Sequence, residues 1–342
     1  MRQQPGAPKK NYIPDNITFQ TKQQIAISLV RRALDNGIRV KAWTFDEAYG
    51  RDHKFLDGLE SLDQAFVGEV PSDFHGWAVQ PVVRKIPRKT AEIRGRKRKA
   101  RVVYPKRSSA VKNLAKYSPS LRDKSWQRYR IKDTNKGPDV WEVKWCRFWR
   151  KVENPDASKK HSLPSNMHCL LVARNVETGE IKYFVSNMVP GRNGATVRDI
   201  LRIAFSRWSV EACFRTAKEE LGMDHFEVRG WRCVHRHWYV TQLAQLFCSR
   251  MRQEFDPNPT STDHTITVEQ IRSAINAWLN SATLPSKTRN QRLQAELDRQ
   301  AYYHRRNATA RKSHTKTQWQ KLIDQGIDPN RIKSCIPKGE SP

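Results

Sequence analysis

The chain has 342 residues and carries 63 Lys and Arg against 34 Asp and Glu, a formal net charge of +29. That length allows a sizeable core and more than one subdomain, and so large a positive excess points to a polyanionic partner, nucleic acid first. No long apolar run or lipidation motif supports a membrane, and residues 1–16 (MRQQPGAPKKNYIPDN) lack the apolar stretch of a signal peptide. The cysteines Cys146, Cys169, Cys213, Cys233, Cys248 and Cys335 are scattered with no C-x-x-C pair. They read as reduced thiols of a cytoplasmic protein and offer no zinc site.

In chain order, residues 21–37 (TKQQIAISLVRRALDNG) place Ile25, Ala26, Leu29, Val30, Ala33 and Leu34 on one face, with Gly37 as a stop. This predicts an amphipathic helix. Residues 40–45 read as a short strand ending on Asp46. Asp52 opens a second helix carrying Phe55, Leu56 and Leu59, and residues 65–70 form a further strand closed by Pro71. Helix and strand alternating at these lengths predict an α/β sheet. An Asp at the C-terminal end of a strand stands where open α/β sheets place ligand-binding groups. It equally suits the cap of the following turn.

Residues 84–107 (RKIPRKTAEIRGRKRKARVVYPKR) are dominated by Lys and Arg. They predict a basic linker without a fold of its own, contacting DNA phosphates through Arg94, Arg96, Lys97, Arg98, Lys99 and Arg101. Residues 141–149 (WEVKWCRFW), 167–174 (MHCLLVAR) and 181–187 (IKYFVSN) read as strands, the last two joined by a hairpin turn at 176–180. Trp126, Trp141, Trp145 and Trp149 fit a core for the most part, with stacking on unpaired bases as the alternative.

Residues 196–222 predict one long helix, capped by Thr196 with Asp199 and stopped by Gly222. At about 100° per residue its apolar side chains form two stripes. Leu201, Phe205, Trp208 and Ala212 make one; Ile203, Val210, Phe214, Ala217 and Leu221 make the other. Arg207, Glu211 and Lys218 share the slot between them, because their spacings are near-whole turns. A helix apolar on two sides is largely buried, which argues for an embedded charged site. The bland alternative is an ordinary i,i+4 ion pair. Farther on, residues 234–252 predict a helix burying Val240, Leu243, Ala244 and Phe247, and residues 268–279 another. Residues 302–316 (YYHRRNATARKSHTK) are a solvated helix end or a further DNA-contacting surface.

The pattern Arg207-Trp208-x-x-Glu211-x-x-Phe214-x-x-x-Lys218-x-x-x-Gly222, followed by Phe226-Glu227-Val228-Arg229-x-Trp231 and Arg236-His237, resembles the DDE transposases of bacterial insertion sequences. Within them it is similar to the group marked by a Tyr-x2-Arg-x3-Glu-x6-Lys motif. Arg207, Glu211 and Lys218 match three of the four positions, and Ala204 stands where the family has Tyr. Asp46-Glu47-x-Tyr49-Gly50-Arg51-Asp52 is similar to the family's second catalytic-aspartate segment.

The resemblance implies an α/β fold with a ribonuclease-H-like core, a β-rich insertion before the helix of the catalytic Glu, and C-terminal helices. Residues 1–76 would be a partial core, 77–190 the basic arm and insertion, 191–231 the catalytic helix and 232–342 a helical region. The implied chemistry is metal-dependent cleavage and transfer of double-stranded DNA. Asp46 and Glu211 would be catalytic ligands of two Mg2+ ions flanking the scissile phosphate. Arg207, Lys218, Arg229, Arg236 and His237 would contact DNA. The family's first catalytic Asp lies on a strand before the first helix. Here Asp15 stands in the turn Ile13-Pro14-Asp15 instead. The resemblance therefore implies either an incomplete copy with its first strands missing, or an inactive basic protein that binds transposon ends. Missing strands would leave residues 40–45 at a sheet edge. Such an edge predicts pairing with a second copy, a separately encoded N-terminal piece, or the chain's own N-terminal arm.

Overall fold

The first helix, α1 (Lys22–Asp35), forms because its N-terminus is satisfied locally as well as by its apolar face. Thr21 Oγ1 accepts from Gln24 N at 3.2 Å and Gln24 Oε1 from Thr21 N at 2.9 Å, a reciprocal capping box. The computed structural model describes residues 12–86, 99–104, 107–153, 162–192, 194–255, 266–281 and 285–336. After α1 come β1 (Trp43–Phe45), α2 (Glu47–Gly50), α3 (His53–Ser61), β2 (Phe66–Val70), β3 (His75–Trp77), β4 (Val82–Ile86) and β5 (Lys99–Tyr104). Then follow β6 (Ser109–Ala110), α4 (Val111–Tyr117), α5 (Pro119–Arg122), β7 (Gln127–Thr134), β8 (Gly137–Glu153), β9 (Ser162–Asn175), β10 (Ile181–Ser186) and α6 (Val197–Ser206). The rest is α7 (Trp208–Leu221), α8 (Trp231–Phe255), α9 (Val268–Ser281), α10 (Ser286–Asp324) and β11 (Lys333–Ser334). The chain divides into a sheet unit, Gln20–Arg207 with Gln318–Ile336, and a helical unit built on Trp208–Thr317.

Among the described residues, the sheet unit holds a nine-stranded mixed sheet ordered β1-β2-β10-β9-β8-β3-β6, with β7 pairing β8 and β11 pairing β7. The pairs β1–β2 and β11–β7 are parallel. β1 stands at one end, the edge position expected for residues 40–45. With 17 residues, β8 is long enough to pair β7 along its first half and β3 near its far end. The pleat sends alternate residues of β9 to opposite faces. Leu170 and Val172 join Val30 of α1, Leu56 and Leu59 of α3, and Phe148. Cys169, Leu171 and Ala173 join Ile200, Leu201 and Ala204 of α6 on the other side. Helices thus cover both faces, the layered α/β arrangement expected from the alternation of elements. Each fully buried aliphatic or aromatic side chain stabilises it by about 1.5–3 kcal/mol.

A buried ionic group fastens α3 to the strands. Arg150, with no exposed surface, donates from Nη2 to Asp57 Oδ1 at 2.7 Å and lies 3.2 Å from Glu60 Oε2. His168 Nε2, also fully buried, is 2.5 Å from Glu60 Oε1. Burial opposes the Glu60 charge, but the hydrogen bond from His168 and the positive field of Arg150 outweigh it and hold its pKa below the usual value. Burial, reinforced by Arg150, pushes the neighbouring His53 imidazole down.

Several expectations are corrected. The unfolded linker at 84–107 gives way, where described, to an antiparallel β4–β5 ribbon with Val83 opposite Val102 and Arg84 opposite Arg101. Val82, Val83, Val102 and Val103 supply the β-branched residues that favour it. Lys99 and Arg101 lie on β5, and Arg94, Arg96, Lys97 and Arg98 fall outside the described residues.

The single helix at 196–222 is two helices. Arg207 keeps helical angles (φ −52°, ψ −35°) at the C-cap of α6, and α7 begins after it. Burial follows α6 alone. On α7 only Ala217 is buried, while Trp208, Val210 and Phe214 are about half exposed. Two apolar stripes need neighbours on two sides, and α7 meets its neighbours α8 and α9 without covering both.

The face of α8 expected to be buried is exposed at Val240, Leu243 and Phe247, whereas Thr241 and Cys248 are buried instead. There α8 meets α7 through Gln245, whose Nε2 donates to the Cys213 carbonyl at 3.3 Å. The basic segment 302–316 is an interior stretch of the 39-residue α10. That helix buries only Gln318 and Leu322, near its C-terminus. Leu322 then packs with Ile327 against Val140, and Cys335 N donates to Arg130 O at 2.8 Å beside β11.

Candidate active site

β1 ends on Phe45, whose buried ring meets Phe55 and Phe66 at centroid distances of 5.0 and 5.8 Å. This packing holds the next residue, Asp46, at the C-terminal end of a parallel strand. The half-buried carboxylate also caps α2, with Oδ1 accepting from Ala48 N at 3.1 Å and Tyr49 N at 3.3 Å. Both bonds use one oxygen, so the cap leaves Oδ2 outside it. The two sequence readings, ligand site and turn cap, are compatible in one side chain. Position 50 fixes the geometry further, because a Cβ on Gly50 would run into the Glu69 carbonyl. Only glycine lets α2 lie directly on β2.

The charges near Asp46 in sequence are engaged. Arg51 reaches Glu47 at 3.2 Å and Asp73 at 3.8 Å, and Asp52 caps α3 by accepting from Lys54 N and Phe55 N. Just before β1, Lys41 binds Asp199 of α6 at 2.7 Å. Hydrogen bonds from Lys41 and Thr196 hold the Asp199 pKa down at about 2.

Of the residues predicted on and after the 196–222 helix, Arg207 closes the sheet unit, and Glu211, Lys218, Arg229, Arg236 and His237 belong to the helical unit. Glu211 and Lys218 lie about two turns apart on α7 and are exposed. That helix is braced within its unit by Arg272 of α9, which donates from Nε to Glu220 Oε2 at 2.9 Å. Gly222, at φ +66°, ends α7 as expected. His237 holds the following turn, donating from Nε2 to the Gly222 carbonyl at 2.9 Å with its ring 5.6 Å from Phe226. Arg229 and Arg236 are exposed.

Among the described residues, no three His, Cys, Asp or Glu side chains gather as a metal-binding group. A divalent ion takes about six oxygens, several of them from water and phosphate. Asp46 Oδ2 suits one such position; Asp52 likewise caps α3 through Oδ1 alone, whereas Glu47 is engaged by Arg51. No helix among the described residues is long and apolar enough to cross a membrane.

Sequence reading left one charged and aromatic group unrecognised. Lys144 and Arg174 lie over the ring of Trp126, and Lys124 over that of Trp145. Trp141 and Trp149 are core residues, as favoured. The available signal was the alternation of Arg128, Glu142, Lys144 and Arg174 with apolar residues along three strands.

Residues 3–138 match a family model described as DDE superfamily endonuclease. The match covers under half of the chain, includes Asp46 and stops before Glu211. It supports a DDE transposase-like family and, with it, a nuclease acting on DNA. The mixed α/β sheet with C-terminal helices is consistent with a DDE nuclease fold. Endonucleases of this superfamily generally use divalent metals. Comparison with curated proteins gives no match.

Proposed function

We propose, from the endonuclease match over residues 3–138, that the chain is an insertion-sequence transposase acting on double-stranded DNA. The observation that carries this reading is Asp46, placed at the end of a parallel strand with one carboxylate oxygen outside its cap. In this reading Asp46 and Glu211 are catalytic carboxylates and Arg207, Lys218, Arg229 and Arg236 contact the phosphate backbone. Bound Mg2+ would neutralise charge at the scissile phosphate. β1, which pairs only with β2 among the described residues, is an edge that a second copy, a separate N-terminal piece or the chain's own N-terminal arm would join.

Cleavage of duplex transposon ends in Mg2+ by the assembled protein tests this. Asp46→Asn keeps a residue able to cap α2, so it separates the ligand role from the structural one. Both Asp46→Asn and Glu211→Gln should abolish cleavage and leave DNA affinity unchanged. Cleavage that survives either substitution overturns the assignment. A second reading, a basic protein that binds transposon ends without cutting them, is favoured by the net charge of +29. Duplex binding with no cleavage in Mg2+ or Mn2+ by any assembled form selects it.

A further inference from the structure

On the sheet face that packs α1 and α3, the inward positions of β8 run Phe148, Cys146, then Lys144 and Glu142. Those of β9 run Leu170, Val172, then Arg174. The same face therefore changes from apolar to charged at its β7 end, where Arg128 joins it. Trp126 packs at the margin of the core with Lys144 Nζ 4.8 Å and the Arg174 guanidinium 4.7 Å from its ring centroid. Glu142 is largely buried and binds Arg174 at 2.5 Å and Arg128 at 3.2 Å. Lys144 also donates to the Arg122 carbonyl at 3.2 Å. Two cations, Arg174 and Arg128, thus flank one carboxylate, and Lys144 shares the Trp126 ring with Arg174.

These cations are already fixed. A long side chain that binds a phosphate ordinarily loses rotamer freedom, but here the ring and Glu142 have already restricted Arg174. Guanidinium and ammonium groups carry five and three donors respectively, more than the contacts named above use. A base stacking on Trp126 would have to displace the cations that engage its ring, whereas a phosphate would add to them.

We propose that this strip is a phosphate-binding surface for duplex DNA, separate from Asp46, in which Trp126 and Glu142 hold Arg174, Lys144 and Arg128 ready for backbone phosphates. It rests on the nucleic-acid part of the proposed function and not on catalysis.

The test is anisotropy titration of the full chain with mixed-sequence duplexes at several salt concentrations. Each lost phosphate contact lowers the slope of log K against log salt by about 0.9. Lys144→Gln/Arg174→Gln should therefore shrink the affinity loss between about 50 and 200 mM salt roughly tenfold. The change should be equal for unrelated sequences, since phosphate contacts carry no sequence information. Arg174→Lys should keep the parent slope, and Trp126→Leu should weaken binding without changing it. If the double variant loses its melting transition, Lys144→Gln alone is read, with half the change in slope. A parent that binds duplex, with variants of unchanged slope, overturns this surface alone. A parent that binds no duplex overturns it together with the proposed function.

Discussion

The sheet unit and the helical unit treat the same kind of residue in opposite ways. In the sheet unit Phe148, Leu170 and Leu171 are essentially inaccessible, whereas on α8 of the helical unit Tyr239, Val240, Leu243, Leu246 and Phe247 are all half exposed or more. Both sets are regularly spaced apolar residues. Spacing tells which side chains share a face, and only the neighbours decide whether that face is covered. The strands meet α1 and α3 on one side and α6 on the other, while α8 turns a different face to α7 and α9.

The largest test of this contrast is deletion of a core ring. Phe148→Ala should destabilise the sheet unit by about 3–5 kcal/mol, read as a lower denaturant midpoint. Gly50→Ala should cost about 1–3 kcal/mol through overpacking of α2 on β2, with a weakened Asp46 cap visible in amide exchange at Ala48 and Tyr49. Acid should come next, and it should act on the sheet unit. Glu60, whose folded pKa is lowered, contributes stability that is complete above its unfolded value and is lost as pH falls through the folded one. His53 also has a lowered pKa, so its contribution begins to fall once the pH drops through the unfolded value of 6.5. Both signs agree, so the Tm of the sheet unit should decline in two stages on acidification, and Glu60→Gln should remove the lower one. At the small end, Leu243→Ala on the exposed stripe of α8 should change stability by no more than about 0.5 kcal/mol. A loss as large as that of Phe148→Ala would show the stripe to be covered in solution.

What the sequence disclosed follows the same division. The strands at 141–149, 167–174 and 181–187 were legible because their alternation is local, and β7 escaped although Tyr129 and Ile131 alternate with Arg128, Arg130 and Lys132. Its outward charges merged with the basic stretch before it. Asp46 was legible as a strand-end residue, and its cap is a local bond three residues long. The break at Arg207 was not legible, since the residue keeps helical angles and the apolar period runs through it. Nor was the ionic group of Arg150, His168, Asp57 and Glu60, in which residues of β8 and β9 meet α3 only through the packing of that helix on the sheet.

The return of the C-terminal segment to the sheet has a consequence in time. β11 lies beside β7, and Lys333 Nζ donates to Gln127 Oε1 at 2.8 Å across a separation of 206 residues, with Trp208–Thr317 of the helical unit encoded between them. At a synthesis rate of about 5–20 residues per second, β7 is made roughly 10–40 s before its neighbour. Throughout that interval the flank that β11 covers, at Tyr129 and Arg130, stays open in the nascent sheet, with the charged Arg128, Arg130 and Lys132 opposing pairing with strands of other chains. The helical unit is thus produced while its host is still unfinished, and a slower ribosome lengthens the exposure of that flank in direct proportion.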